Sequence, residues 1–235
     1  MRRPHALIAV AALSLTALSG CGSDGGPGAT APAAGVTTAA TAAAAAQPAS
    51  ACKKVKAFAP RAEGKLSAPK QPLAKGKQYT VRFTTSCGAF DVQLAAGRAP
   101  KTTASVASLV RQGFYDGLPF HRIAKGFVIQ GGDPAGNGSG GPGYKVVEAP
   151  PADVQYTRGV VAMAKAGNEA SGTSGSQFYV VTGEDAGLPP DYALLGRVSK
   201  GQDVVALIEG VDTGGAPDGP PTEPVIIEKA QLLTK

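Results

Sequence analysis

From Gln78 onwards the chain forms short runs in which apolar and polar residues alternate, and this pattern constrains the fold most. The runs Tyr79–Thr85 and 89–94 flank the small residues at 86–88. Alternation over such a length is typical of a half-buried β-strand, and turn residues between two such runs predict a hairpin. The folded part is therefore expected to begin with an antiparallel strand pair.

Two helix candidates interrupt a series of further short strands. A helix is expected over residues 100–112, because Pro100 suits a first helical position and Gly113 a C-terminal stop. A second is expected over Gln202–Glu209. Strands are expected at 121–124, 127–131, 159–164, 177–182, 194–199 and 224–233. Many short strands with two isolated helices indicate a barrel or sandwich plugged by helices, in one domain over residues 78–235.

The segment before this domain has a different composition. Residues 22–51 are almost entirely Ala, Gly, Thr, Pro and Ser, with one charged residue and no aromatic residue. Such a segment cannot bury enough apolar surface to offset the entropy of ordering it. We assign residues 21–77 to a flexible tether. As a flexible coil, its thirty residues 22–51 would have an average end-to-end distance of roughly 30 Å. The apolar residues of the tether that could dock on the domain are Val55, Phe58 and Leu66.

The N-terminus has the pattern of an export signal. Arg2 and Arg3 precede an apolar run at 6–18, which is too short to span a bilayer comfortably. Residues 18–21, Leu-Ser-Gly-Cys, resemble the bacterial lipobox, in which the cysteine is lipidated. We therefore interpret residues 1–20 as a lipoprotein signal peptide and Cys21 as the lipidated mature N-terminus; an ordinary signal peptide with an incidental cysteine is the alternative. Two acyl chains anchor a protein without spanning the membrane, which predicts an extracytoplasmic location on the bacterial cell membrane.

The remaining cysteines agree with an oxidising compartment. With Cys21 lipidated, Cys52 and Cys87 are left as an even pair. A disulfide between them would pin the end of the tether to the first strand pair. The alternative is a buried free thiol at Cys87 and an exposed one at Cys52.

The sequence lacks the residues that several kinds of functional site require. His121 is the one histidine outside the leader, which leaves little material for a metal site or a Ser/His/Asp triad, so no metal is expected. The glycine-rich loop, residues 131–143, matches Gly-x-Gly-x-x-Gly at 136–141, but no helix or Lys-Ser/Thr follows to hold a phosphate. We expect a mobile loop beside a site. The net charge of +6 includes no dense basic tract with aromatics, so nucleic acid is not expected as a partner.

Three blocks follow one another along the chain, at 120–133, at 159–166 with 175–179, and at 188–198. Together they resemble the cyclophilins, which are peptidyl-prolyl cis-trans isomerases. The resemblance covers residues 78–233. It implies a closed eight-stranded antiparallel β-barrel capped by two α-helices, and a monomer that needs no cofactor.

The resemblance also implies the site residues. Arg122, Gln130 and Phe127 match the catalytic positions. The matching substrate-binding positions are His121, Val128, Ala164, Lys165, Gln177, Tyr179, Leu188 and Tyr192. The chemistry fits, because no bond is broken in prolyl isomerisation. A permanently charged, multi-donor guanidinium near the amide nitrogen would favour the twisted, non-resonant amide.

Four positions depart from the family pattern. Gly187 stands where an aromatic residue often grips cyclosporin, which predicts weak cyclosporin binding with catalysis retained. Tyr179 replaces a common phenylalanine, Tyr192 a histidine and Val128 a methionine. These changes bear on substrate preference.

The sequence therefore predicts an isomerase that accelerates folding of exported, Xaa-Pro-containing proteins from a lipid-anchored position. A non-catalytic docking module for proline peptides, or a chaperone on the cell surface, is the alternative. The pairing of Arg122 with Gln130 favours catalysis, because a pure binder has no need of a charge at the amide.

Overall fold

The computed structural model describes residues 52–235. In this range the chain is mainly β-structure with two helices. The elements are β1 (Tyr79–Thr85), β2 (Gly88–Leu94), α1 (Pro100–Arg111), β3 (Phe120–Ala124), β4 (Val128–Gly131), β5 (Val146–Val147), β6 (Val160–Met163), β7 (Thr173–Ser174), β8 (Phe178–Val181), β9 (Leu194–Lys200), α2 (Gln202–Glu209), β10 (Asp218–Gly219) and β11 (Ile227–Thr234). The proposed signal peptide, Cys21 and most of the Ala-rich tether lie outside the described residues. Within residues 52–235, no helix has the length and apolarity needed to cross a membrane.

One antiparallel sheet contains most of these strands, in the order β10-β3-β4-β8-β6-β9-β2-β1-β11. Eight of them have four or more residues, and β10 has two. The two ends of the sheet approach each other: Phe120 N donates to Val225 O at 2.8 Å, and Ile227 N donates to Leu118 O at 2.8 Å. The predicted eight-stranded antiparallel fold with two helices is confirmed, as a strongly curled sheet whose ends meet over a few residues rather than along a full ladder. The strands β5 and β7 form a separate pair.

The core lies inside the curl and is rich in aromatic rings. Phe83 stacks on Phe90 with ring centroids 5.3 Å apart and on Phe178 at 5.0 Å, while Tyr115 meets Phe178 edge-on at 5.8 Å. Such pairs add about 0.5–1.5 kcal/mol each beyond the area they bury. Because β1 alternates buried and half-buried residues, its inward-facing side chains Tyr79, Val81 and Phe83 all belong to the core.

The helices begin and end close to the positions that the sequence predicts. The helix α1 has Pro100 in its first turn, where the missing N–H costs nothing. Gly113 follows it with a φ of 67°, a backbone conformation that glycine adopts without strain. The helix α2 has the predicted bounds and buries Val204, Val205 and Ile208. The two-residue strands β5, β7 and β10 were not predicted, since two residues are too few to show a periodicity.

Residues 52–66, which we call the N-terminal strap, lie against the domain without regular secondary structure. Lys53 N donates to Ser86 O at 2.7 Å, and Arg61 N donates to Pro134 O at 2.7 Å. Further along, Gly64 N donates to Gly141 O at 2.9 Å. The apolar side chains that pack on the core from this segment and just beyond it are Phe58, Leu66 and Leu73. Residues 52–77 therefore pack on the domain, although the strand pattern predicts that the folded part starts only at residue 78.

A disulfide between Cys52 and Cys87 fixes the start of the N-terminal strap. Cys87 is buried in the turn between β1 and β2, and Cys52 packs against the core. The bridge spans a sequence separation of 35 residues. Because the chain between the two cysteines includes the whole N-terminal strap and β1, the bridge restricts many conformations of the unfolded chain.

Replacing both cysteines, Cys52→Ser with Cys87→Ser, should lower the free energy of unfolding by about 2–4 kcal/mol, because the unfolded chain regains its loop entropy. Urea unfolding of the oxidised wild type and the double variant measures the difference. Reduced wild type is the control, and it should unfold like the double variant. Equal stability of oxidised wild type and double variant would contradict this account of the bridge.

Candidate active site

The site lies on the outer face of four neighbouring strands, β3, β4, β8 and β6. The register places Arg122 opposite Gln130, Gln130 opposite Tyr179, and Tyr179 opposite Ala162. The next row, Ile123, Ile129, Val180 and Val161, is fully buried and faces the core. Since successive side chains of a strand point to opposite faces, the buried row forces the first row outwards. The predicted residues of the first and second blocks thus meet in space.

Three groups hold the guanidinium of Arg122. Its Nε donates to Oδ1 of Asp218 at 2.8 Å, and its Nη2 donates to Oδ2 of the same carboxylate at 2.6 Å. Its Nη1 donates to Oε1 of Gln130 at 3.3 Å. Its Cζ also lies 6.0 Å from the ring centroid of Phe127, within cation–π range. The charge is therefore held in one orientation although the side chain remains 36% exposed.

Gln130 and Gln177 connect Arg122 to the glycine-rich loop. Gln130 Nε2 donates to Gln177 Oε1 at 3.1 Å. Gln177 Nε2 in turn donates to Gly138 O at 2.9 Å and to Gly140 O at 3.0 Å. Each amide can accept from one neighbour and donate to the next, so the chain of bonds fixes which way each amide faces. Gln177 therefore acts within the protein as a link to the loop.

The glycine-rich loop is wrapped around the carboxylate of Asp133, which is completely buried. Oδ1 accepts from Ala135 N and Gly140 N at 2.8 and 2.9 Å, and Oδ2 accepts from Asn137 N and Gly138 N at 2.9 and 2.5 Å. A Cβ at Gly140 would overlap Oδ1, so only glycine lets the chain pass so close. The loop lies beside the site as predicted. The prediction that this loop is mobile did not take account of the Asp133 carboxylate, which accepts hydrogen bonds from four N–H groups of the loop.

Apolar side chains form a wall beside Arg122. The four predicted members of this apolar wall are Phe127, Val128, Tyr179 and Leu188, and they belong to one cluster on the outer face of the sheet. Tyr192 meets the ring of Tyr179 edge-on at 5.6 Å. Within the described chain the buried hydroxyl of Tyr179 has no hydrogen-bond partner, and burial raises its pKa above the ordinary value.

Tyr192 is held by its own backbone rather than by its hydroxyl. Its N donates to the hydroxyl of Tyr156 at 3.0 Å, and that hydroxyl donates to Tyr192 O at 2.6 Å. Tyr156 is buried, meets Tyr192 edge-on at 6.0 Å and was not predicted as part of the site. The reciprocal pair fixes the loop between β8 and β9 against the apolar wall.

The side chain of Lys165 is only 5% exposed and its ammonium is held by an ion pair. Its Nζ lies 2.7 Å from Oδ2 of Asp191 and 5.5 Å from the ring centroid of Tyr192. The Asp191 carboxylate raises the pKa of Lys165, and the ammonium lowers the pKa of Asp191. Ala164 N donates to Gln177 O at 2.9 Å, whereas Ala164 O and both backbone groups of Lys165 have no backbone partner within residues 52–235. These backbone groups, unlike the ammonium, are therefore free to form hydrogen bonds with a further strand.

A cavity of about 450 Å³ lies beside Gln130 and the glycine-rich loop. Gln130, Gln177 and Ala164 line one side of it, the glycine-rich loop lines another, and Glu63 of the N-terminal strap reaches its rim. Gly187, in the loop between β8 and β9, has a φ of 62° and open space where a side chain would lie. Residues 52–235 contain no cluster of His, Cys, Asp and Glu side chains that could hold a metal ion.

His121 lies at a bulge between β3 and β4, where the register shifts. Both ring nitrogens are buried without a partner among the described residues. Burial lowers the pKa of His121; the negative charge of Asp133 opposes this shift, and the positive charge of Arg122 adds to it. The ring is therefore neutral at pH 7, and it packs beside Arg122 without a bond to it.

A family model for cyclophilin type peptidyl-prolyl cis-trans isomerases matches residues 80–232. The chain belongs to the cyclophilin family. It is accordingly a peptidyl-prolyl cis-trans isomerase, as predicted.

Individual cyclophilins agree with this assignment. A peptidyl-prolyl cis-trans isomerase A of Mycobacterium tuberculosis is 37% identical over 185 residues, which cover 71% of this chain and 97% of that protein. A peptidyl-prolyl cis-trans isomerase-like 1 of Aspergillus oryzae is 36% identical over 157 residues, covering 65% and 94%. A crystal structure of a Cryptosporidium parvum cyclophilin type isomerase superposes with a TM-score of 0.62 at 28% identity, covering 66% of this chain and 98% of that one.

Sequence analysis missed three acidic residues of this cyclophilin site. Asp133 lies within the first block but has no role that its neighbours reveal. Asp191 follows two prolines and Asp218 lies in a Gly- and Pro-rich stretch, so neither belongs to a periodic pattern. Asp218 is 96 residues from Arg122 in the chain. Only the pairing of β10 with β3 brings the two together.

The variant His121→Phe should gain stability relative to wild type as the pH falls below about 6.5, the ordinary histidine pKa. Because burial holds the pKa of His121 below that value in the folded protein, acid protonates the unfolded chain first and destabilises the wild type. Urea unfolding of both proteins at pH 7.5 and 5.5 measures this. A difference between the two proteins that does not change with pH would show that the ring titrates normally.

Proposed function

We propose that this cyclophilin isomerises Xaa-Pro bonds in exported proteins at the extracytoplasmic face of a bacterial membrane, and that Arg122 stabilises the twisted amide. The isomerase activity follows from the family. The observation that carries the proposed mechanism is a guanidinium held from three sides beside an apolar wall.

The reaction needs orientation and charge rather than a nucleophile. Amide resonance gives the C–N bond before proline a rotational barrier of about 18–20 kcal/mol. At 90° of twist the resonance is lost and the nitrogen regains a lone pair. A fixed donor beside that nitrogen binds the twisted amide more strongly than the planar one, so it lowers the barrier.

The orientation of Arg122 supports this role. The bonds to Asp218 and Gln130 use three of the five guanidinium N–H groups, which leaves one on Nη1 and one on Nη2 for a substrate. A lysine in the same place would offer one point charge without the planar fork. The donors are in place before substrate arrives, so little reorganisation is needed in the twisted state.

The neighbouring surfaces would hold the peptide. The apolar wall takes the proline ring, because burying its methylene groups is favourable by about 25 cal/mol per Å². The free backbone groups of Ala164 and Lys165 pair with the peptide backbone as an added strand does. The adjoining cavity offers volume to the residues next to the proline. Gln177 and Tyr192 support these surfaces from the rim, and His121 lies beside the pocket.

Neither alternative function has a comparable basis. A holdase chaperone needs a contiguous exposed apolar patch. Across residues 52–235 the exposed large apolar side chains are Val147 and Leu233. A docking module without turnover would bind through the apolar wall alone and would gain nothing from an oriented charge at the amide.

The proposed location rests on the N-terminus and on the disulfide. Residues 1–21 combine two arginines, an apolar run and a lipobox-like end. The bridge between Cys52 and Cys87 is of the kind that persists in oxidising compartments. We propose that Cys21 is lipidated, that residues 22–51 act as the tether, and that the enzyme acts as a monomer.

Arg122→Ala should slow exchange of an Ala-Pro peptide about a hundredfold, the usual effect of removing a donor to a reacting centre. Arg122→Lys should lose about tenfold, since charge remains without the planar fork. Two-dimensional NMR exchange spectroscopy measures the rate without a coupled protease.

The control for this pair is Arg98→Ala, which removes an arginine from a surface ion pair with Asp153. That variant should exchange the peptide at the wild-type rate. Full activity of Arg122→Ala would refute the mechanism, and binding of the peptide by wild type without acceleration would favour the docking module.

The anchor predicts a mass shift at Cys21. Protein extracted from the membranes of a bacterial host should carry a diacylglyceryl group on the residue that follows the cleaved signal peptide. Cys21→Ser should lack this group and should leave the membrane fraction. Mass spectrometry of the mature N-terminus decides the question, and an unmodified soluble wild type would rule out the anchor.

A further inference from the structure

Asp218 makes a two-point contact with Arg122. The two bonds, Nε to Oδ1 at 2.8 Å and Nη2 to Oδ2 at 2.6 Å, run side by side between the planar groups. Bidentate pairs of this type fix the guanidinium plane as well as its position. Asp218 therefore constrains Arg122 more than Gln130 does, whose single bond measures 3.3 Å.

The fold holds Asp218 in place through the strand β10. Asp218 pairs with Ala124 and Gly219 with Ile123 in the ladder between β10 and β3. Next to them, Lys125 N donates to Pro217 O at 2.8 Å. The carboxylate and the guanidinium thus project from neighbouring strands of one sheet. Their contact is set by backbone pairing and does not depend on a free loop.

Stability alone does not account for this pair. The side chains of Arg122 and Asp218 are 36% and 48% exposed, so water screens their attraction. Exposed pairs of this kind add little to the free energy of folding. The pair has a larger effect on the orientation of the guanidinium than on stability, because a long arginine side chain samples many rotamers unless its guanidinium is bound. A donor that must meet a reacting nitrogen has to stay within a fraction of an ångström.

We propose that Asp218 is a positioning residue for isomerisation, which holds Arg122 with its Nη1 edge turned to Gln130 and to the substrate. This inference rests on the role proposed above for Arg122. Asp218 itself touches no reacting atom. It occupies the Nε and Nη2 edge, so the remaining N–H groups stay directed at the site rather than at solvent.

The test compares three variants of the purified protein. Asp218→Ala removes both bonds and should lower the exchange rate of bound peptide by about three- to tenfold. Asp218→Asn keeps an acceptor for Nε but sets an NH₂ group against Nη2, and should show a smaller loss. Asp153→Ala is the matched control, because it removes the carboxylate of another exposed Arg–Asp pair; it should leave the rate unchanged.

Two readouts separate positioning from a structural effect. Exchange measured over a range of peptide concentrations yields the dissociation constant and the rate on the enzyme, and positioning predicts a change in the rate alone. The Nε–H resonance of Arg122 should also move upfield in Asp218→Ala, when its carboxylate acceptor is lost, and should move less in Asp218→Asn. A structural defect would instead weaken peptide binding and shift resonances throughout the domain.

The results separate the positioning role of Asp218 from the catalytic role proposed for Arg122. A lower rate in Asp218→Ala with unchanged binding supports the positioning role. An unchanged or faster rate, with Arg122→Ala still inactive, overturns that role and leaves the mechanism standing; a faster rate would mean that the carboxylate attenuates the charge. Full activity of Arg122→Ala overturns both.

Discussion

The hydrogen bonds between the buried carboxylate of Asp133 and the glycine-rich loop are the interaction on which the site depends. A charge without solvent or an ion pair must be satisfied by hydrogen bonds, and here four backbone N–H groups of one loop do so. The same loop then supplies the carbonyls that orient Gln177, which orients Gln130 and through it Arg122. The N-terminal strap also binds this loop, at Pro134 and Gly141. One buried charge thereby organises the polar half of the site.

A small enzyme needs both a closely packed apolar core and polar groups that water and substrate can reach. The curled sheet places these on opposite faces of the same strands. Its inner face carries Ile123, Ile129 and Val180 in a closely packed core, while the row beside them carries Arg122 and Gln130 in partial contact with water. Because both rows come from the same strands, the rigidity of the core is passed directly to the polar groups. An isomerase that forms no covalent bond with its substrate depends on that rigidity for most of its effect.

Local patterns were enough to predict most of this architecture. Alternation located the long strands, and Pro100 with Gly113 located the first helix, because these signals lie within a few residues. The family blocks then grouped Arg122, Gln130 and Tyr179, which the register places side by side. The partner at Asp218 could not be predicted in this way. A contact between residues far apart in the chain depends on which strands pair, and a two-residue strand leaves no periodic trace.

The position of the disulfide has a mechanical consequence. Cys52 is the first described residue of the folded unit, and its bridge leads directly into the turn between β1 and β2. Tension applied to the chain ahead of Cys52 therefore passes through the sulfur atoms to Cys87, in the turn between β1 and β2. Residues 53–66 lie beyond this junction and carry none of the load. Force applied at the N-terminus is thus not transmitted to the part of the N-terminal strap that borders the active site.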